Sequence, residues 1–184
     1  MENCFPGTVI ERGGKSAEEF LGGLFFATKG IMLSQVREIT GLDTPVIQNW
    51  VNRGWLQRPV DKKYSIDHLA RTMLINMLRD VMQLENIAAI LVYINGVAGD
   101  TSDDAVPESK LYCYACEIID NITFETLLCD DVLDGIIEKA VADYEEPFEG
   151  GYEKLTNGLH IIATYYAAAI IKKHGDDFYK RLEI

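Results

Sequence analysis

The chain has 184 residues, enough for one domain and at most two at roughly 150 residues each, and at that size about 70% of the unfolded surface can be buried without disulfide staples. Its 48% hydrophobic and 25% charged residues match an ordinary soluble globular composition, while a net charge of −12 opposes a general coat for nucleic acid or an acidic membrane. The longest strongly apolar run, Leu159 to Ile171, has 13 residues where a membrane span needs about 20, the N-terminus lacks the charge and apolar stretch of a signal peptide, and four cysteines are too few for a disulfide framework, so a cytoplasmic protein with reduced thiols and no membrane contact is expected.

The charge is uneven. Residues 1–30 carry three basic and four acidic residues, residues 31–83 seven and five, and residues 84–184 seven and twenty. Such asymmetry often separates a segment that touches nucleic acid from one that does not. With a Debye length of about 8 Å, a distant acidic half need not cancel a local basic face.

Taken in chain order, residues 1–16 hold Pro6, Gly7, Gly13 and Gly14 and read as an extended arm. Ser16 with Glu19 three residues on predicts a capping box opening a leader helix, which Gly22 and Gly23 weaken. Ser34 is a candidate cap for a short helix, QVREIT, that Gly41 ends. Thr44 suits an N-cap and Pro45 a first helical position, so a second helix is expected from Pro45 to about Arg53, stopped by Gly54. Two short helices joined by a tight glycine-containing turn make a helix-turn-helix candidate.

The second helix places Val46, Ile47, Trp50 and Val51 on one side and Gln48, Asn49, Asn52 and Arg53 on the other. Amide side chains can bond adenine bidentately, and arginine can do so to guanine. The same pattern also describes the solvated face of an ordinary amphipathic helix. Then follows QRPVDKKYS, where Arg58, Lys62 and Lys63 gather around turn-forming residues. A short basic ribbon after a recognition helix is what a phosphate-contacting wing requires. Ser65 or Asp67 caps a helix from about His68 to Met82, and another runs from Leu84 to Ile94, ending at Asn95-Gly96.

The stretch from Met32 to Leu91 resembles the DNA-binding domain of MerR-type transcriptional regulators. The matching features are the paired helices, Trp50 in the second, Arg53-Gly54-Trp55-Leu56 closing it, the basic wing and Tyr64-Ser65 opening the next helix. It looks still closer to a small bacterial family described only as a domain of unknown function with a MerR-like N-terminal half. That family has a similar leader helix, a KKYS wing and an INxL-type helix, here Ile75-Asn76-Met77-Leu78. The MerR-type resemblance spans about residues 31–94, and the closer one is expected over most of the chain.

The resemblance implies a winged helix with helix 45–53 in the major groove and the wing against the backbone. Gln48 stands where MerR-type proteins commonly have a DNA-contacting arginine, and Lys63 near their wing arginine. MerR-type proteins pair through a long antiparallel helix after this domain. Here Asn95-Gly96 and GDTSDDAVPES break the chain instead.

Residues 109–184 read as helices over 109–120, 124–144 and 152–174, and the largely apolar Tyr165 to Ala169 stretch suits burial or packing on a partner. Cys113 and Cys116 form a CxxC, but zinc lacks further nearby ligands and a thioredoxin-like site lacks its βαβ context, so free thiols in a packed helix are the simpler reading. Asp100, Asp103 and Asp104 fail the EF-hand spacing. Asp130, Asp131 and Asp134 suit a helix start. No nucleotide-binding glycine loop or nucleophile elbow occurs, and His68, His160 and His174 are scattered.

The expectation is therefore an all-α protein. It has an arm and leader helix over 1–30, a MerR-like winged helix-turn-helix with a small β wing over 31–96, and an acidic C-terminal helical bundle over 97–184. It binds double-stranded DNA and performs no catalysis, with no cofactor or metal. Gln48, Asn49, Asn52 and Arg53 face base edges. Arg58, Lys62 and Lys63 hold phosphates, and Thr44 touches a phosphate at the helix start. The C-terminal helices either sense a small molecule or pair with a second copy of the chain. The competing expectation is a protein-interaction adaptor that keeps the winged-helix shape without DNA function; Gln48 and the net charge favour it.

Overall fold

A computed structural model describes residues 3–98 and 103–182. The chain is mostly helical with one two-stranded sheet. The elements are α1 (Ala17–Phe25), β1 (Ile31–Met32), α2 (Leu33–Thr40), α3 (Thr44–Asn52), β2 (Lys63–Tyr64), α4 (Ile66–Leu78), α5 (Leu84–Asn95), α6 (Glu108–Asn121), α7 (Phe124–Leu127), α8 (Asp130–Ala140) and α9 (Gly151–Lys180). No helix among the described residues is long and apolar enough to cross a membrane.

The N-terminal segment is not extended. Residues 3–12 double back, with Phe5 N–H donating to Ile10 O at 3.0 Å, Arg12 N–H to Asn3 O at 2.8 Å, and a bridge between Cys4 and Glu11. The reversal is driven by burial: Phe5 is 2% exposed and stacks on Phe20 at 4.3 Å between ring centroids. Asn76 Nδ2 donates to Gly7 O at 2.9 Å, and Tyr112 Oη to Pro6 O at 2.8 Å. Gly7 takes a positive φ of 72°, and a Cβ there would collide with the Met73 carbonyl.

Local rules account for most helix ends. Ser16 Oγ accepts from Glu19 N–H at 3.1 Å and Glu19 Oε2 from Ser16 N–H at 2.8 Å, the reciprocal capping box that starts α1 despite Gly22 and Gly23. α2 begins before the expected Ser34, because Gln35 Oε1 accepts the Met32 N–H at 2.9 Å. Gly41, at φ 70°, ends it, its N–H donating to Arg37 O at 2.8 Å. Asp43, rather than Thr44, is the residue in extended conformation before α3, which places Thr44 and Pro45 both inside the first turn. Pro45 fits there because first-turn amides have no partner within the helix.

The region beyond α3 is set by backbone reversal. Trp55 and Leu56 both donate to Trp50 O, at 3.0 and 3.3 Å, around Gly54 at φ 75°. Asp61 and Lys62 both have positive φ, 50° and 62°, and Lys63 N–H closes the turn on Val60 O at 2.8 Å. Two consecutive left-handed residues are the geometry of a type I′ hairpin turn. β2 then pairs antiparallel with β1, Ile31 opposite Tyr64 and Met32 opposite Lys63. The small sheet thus joins the turn to the chain before α2, across the sequence of both short helices.

Of the two candidate caps for α4, Ser65 serves: His68 N–H donates to Ser65 Oγ at 3.3 Å and Ser65 N–H to His68 Nδ1 at 3.1 Å. Asp67 instead accepts from Ser109 N–H at 2.9 Å and so caps the start of α6 from a distance of 42 residues.

α4 lies at the centre, packed on α2, α5, α6, α9 and β2, and α6 packs on α1, α8 and α9. One cluster of buried side chains runs from Phe5 through Trp50, Leu74, Ile94 and Tyr112 to Tyr166, so segments on either side of residue 96 share a core. α9 approaches α5 closely at Gly158, where a Cβ would strike Ile94. The single helix read over 124–144 is two, because the chain turns at Leu128-Cys129. In the apolar Tyr165–Ala169 stretch Tyr166 is buried, whereas Tyr165 and Ala168 are exposed.

Candidate nucleic-acid interface

The α3 side chains divide as their spacing predicts. Ile47 and Trp50 are buried and Val46 and Val51 half-buried, while Gln48, Asn49, Asn52 and Arg53 are exposed. Thr44, at the start of the helix, is half-buried. Arg58, Lys62 and Lys63 are exposed on the segment leading through the type I′ turn. None of these three cations has an ion-pair partner among the described residues, the condition in which a cation is free to meet a phosphate. Arg53 differs. Its Nη1 lies 3.0 Å from Glu85 Oε1 and its guanidinium sits 4.9 Å from the centre of the Trp55 ring. Both charged side chains of the pair are more than half exposed, so the bridge is weak and readily exchanged for another anion.

The scaffold beneath these groups depends on residues that the sequence did not mark. His68 Nδ1 accepts from the Ser65 amide, which leaves the proton on Nε2 to donate to Arg58 O at 3.3 Å. Burial keeps the ring neutral by lowering its pKa, against the opposing pull of the Arg58 carbonyl and Asp67. Arg71 is only 5% exposed; its Nε donates to Trp55 O at 2.7 Å and its Nη1 pairs with Glu108 Oε1. One buried guanidinium thereby ties the chain just after α3 to the start of α6. Nothing in the local spacing marks Arg71, because its partners lie 16 and 37 residues away.

The remaining candidate clusters resolve differently. Cys113 and Cys116 are free thiols on the packed side of α6, and burial pushes them up to about 11 and about 12, so both stay protonated and weakly nucleophilic at neutral pH. Asp130 and Asp131 occupy the first turn of α8, and Asp134 faces His160 Nδ1 at 3.2 Å. Asp103 packs against Gly96, and Asp100 lies outside the described residues. Among the described residues no group of three or more His, Cys, Asp or Glu side chains is arranged to hold a metal ion.

Residues 26–115 match a family described as "Domain of unknown function (DUF1836)". That interval takes in β1 to α5 and the start of α6, and is shorter than the likeness over most of the chain expected from the sequence. The chain is also 30% identical over 96 residues to an uncharacterized protein, YkrK, of Bacillus subtilis (strain 168), an alignment covering 50% of this chain and 41% of the relative. The chain therefore spans about two-fifths of the length of the curated relative it matches. No solved structure matches it significantly. Together these likenesses support a relationship to a small bacterial family of unknown function.

Proposed function

We propose that the protein is a cytoplasmic, DNA-binding transcriptional regulator whose residues 31–96 act as a MerR-like winged helix-turn-helix. In this reading α3 enters the major groove and offers Gln48, Asn49, Asn52 and Arg53 to base edges. Arg58, Lys62 and Lys63 contact phosphates from the wing, and Thr44 does so at the start of the helix. The act is binding, without chemistry. Residues 97–184 form the acidic partner segment, which senses an effector or joins a second copy. Ile171, Phe178 and Leu182, exposed on and just beyond distal α9, support a homodimer through the C-terminal helices.

The observation that carries the reading is an exposed amide-rich helix face followed along the chain by a turn whose cations have no ion-pair partner among the described residues. The type I′ geometry supports a wing, because it is the turn that joins a tight hairpin. The test is retention of genomic double-stranded fragments by the purified chain at two salt concentrations. Salt-sensitive, competitor-resistant binding is expected, with a log–log slope of about −3 per monomer if three cations each neutralise one phosphate. Binding unchanged by the combined Arg53→Ala, Lys62→Ala and Lys63→Ala substitutions would refute the assignment.

The Arg53–Glu85 pair favours a second reading. An adaptor on the same scaffold would keep that bridge, with its polar α3 face meeting a protein. Absence of DNA retention even at low salt selects this alternative.

A further inference from the structure

The last helix runs well beyond the core. α9 has 30 residues, yet its buried side chains end at Tyr166. One face of its distal half, with Ala169, Ile170 and Asp177, lines a cavity against Gly41 and Asn76 of the body. The opposite face carries Thr164, Ala168, Ile171, Gly175 and Phe178, and the same spacing continues to Leu182 in the turn that follows. All six positions are exposed, Ile171 by 56%, Phe178 by 54% and Leu182 by 61%. Alternating steps of four and three residues make the repeat of about 3.5 residues that runs along a helix packed lengthwise on another helix.

Two of these residues are fitted to a partner that the chain itself does not supply. A glycine inside a helix costs about 1 kcal/mol against alanine. A Cβ at Gly175 would meet nothing within 4 Å, so packing within the chain does not require one there. Thr164 Oγ1 donates to His160 O at 2.9 Å, so its hydroxyl is already satisfied and its methyl group is ready for a dry contact.

The order of side-chain sizes selects the occupant. Thr164 and Ala168 stand at one end of the seam, Phe178 and Leu182 at the other, with Ile171 and Gly175 between. Laid antiparallel on a second copy, about a two-fold axis beside Lys173, the seam sets Leu182 on Thr164, Phe178 on Ala168 and Ile171 on Gly175. Every layer then holds one large and one small side chain, the condition for interdigitation. A parallel pairing would set Phe178 on Phe178 and Gly175 on Gly175, a bulge beside a void. The antiparallel register also brings Lys172 of one copy towards Asp176 of the other. These two pair within one chain at 2.7 Å and are each 52% exposed, so the charges can be shared across the axis. The seam itself contains no carboxylate, so two chains of net charge −12 meet along an uncharged strip. An overlap from Thr164 to Leu182 is about 27 Å long and buries on the order of 1,000 Å², about what a specific interface needs.

We infer that a second copy of the chain docks antiparallel along this seam of α9, with Gly175 at the point of closest approach. The inference rests on the homodimer proposed above and fixes its surface and register; DNA binding is not required for it.

Sedimentation equilibrium of the full chain at micromolar concentration tests it. A mass of twice 20.7 kDa is expected. Gly175→Leu, although its side chain meets nothing in its own chain, is expected to weaken the dimer by about tenfold or more through overpacking. Ile171→Glu, at a second exposed position, acts in the same direction and decides the matter if Gly175→Leu fails to fold. In a Cys129→Ser background, Ile171→Cys mixed with Gly175→Cys is expected to form the mixed disulfide faster than either variant forms its own. A monomeric parent overturns the homodimer and the inference together and leaves the seam to another partner. A dimer indifferent to both substitutions overturns the inference alone, as does faster self-crosslinking of Ile171→Cys, which marks a parallel pair.

Discussion

The outer face of α3 and the buried contact between α4 and the start of α6 both hold polar side chains, under opposite conditions. Gln48, Asn49 and Asn52 are exposed, so water satisfies them and their composition alone cannot separate a reading surface from a solvated helix. Asn95, Arg71 and Glu108 are buried, where every unmet hydrogen bond costs free energy and each partner must be supplied by the fold or by a ligand. Polar groups at the surface are therefore weak evidence that needs a binding experiment, whereas buried ones constrain the chemistry directly.

The sharpest way to break this contrast is to unmake the buried pair. Arg71→Met strips the buried Glu108 carboxyl of its counter-charge and removes the donor to Trp55 O. A loss of about 3–5 kcal/mol in urea-denaturation stability is expected. A loss below about 1 kcal/mol would show that water reaches the pair and that buried contact and surface do not differ.

Gly7→Ala comes next. It places a Cβ against the Met73 carbonyl at a backbone angle that suits glycine, and a loss of about 1–3 kcal/mol in the same assay is expected. An unchanged stability would mean that the N-terminal reversal is not part of the core.

On the surface side, Lys62→Ala with Lys63→Ala leaves folding within about 0.5 kcal/mol of the parent and reduces the salt slope of DNA binding by about 2. A slope that stays put removes the turn from the proposed interface.

The smallest effect concerns pH. Asp104 titrates near 6 in the folded chain against an ordinary 3.8, so its charge disfavours folding above about pH 6 and this penalty disappears below about pH 3.8. Asp104→Asn is expected to stabilise the protein by less than about 1 kcal/mol at pH 7.5, a bound that allows for solvent screening of a half-buried group, with no advantage at pH 3.5. His68 acts in the opposite direction: its lowered pKa gives stability that is complete above about 6.5 and lost as pH falls through the folded value. Chemical denaturation of both chains between pH 3.5 and 7.5 separates the two contributions.

Much of the candidate DNA surface was legible because its determinants are local. The Ser16–Glu19 box, the left-handed Gly41 and the alternation of buried and exposed positions on α3 are all decided within about four residues. The errors were also local and small, such as Asp43 taking the place assigned to Thr44, since both residue types cap well. The division of 124–144 into α7 and α8 escaped notice because no glycine or proline marks the turn at Leu128-Cys129.

What the amino-acid order determined by itself was most of the helices, several of their ends and the two faces of α3, because hydrogen bonds along a helix and the period of apolar residues act between near neighbours. Only the tertiary structure decided that Phe5 folds back onto Phe20, that Asp67 caps α6, and that Arg71 joins Trp55 to Glu108. Those pairings link positions up to 42 residues apart along the chain, and a charge or amide chooses such a partner only after the packing of α4 against α6 has removed water from both.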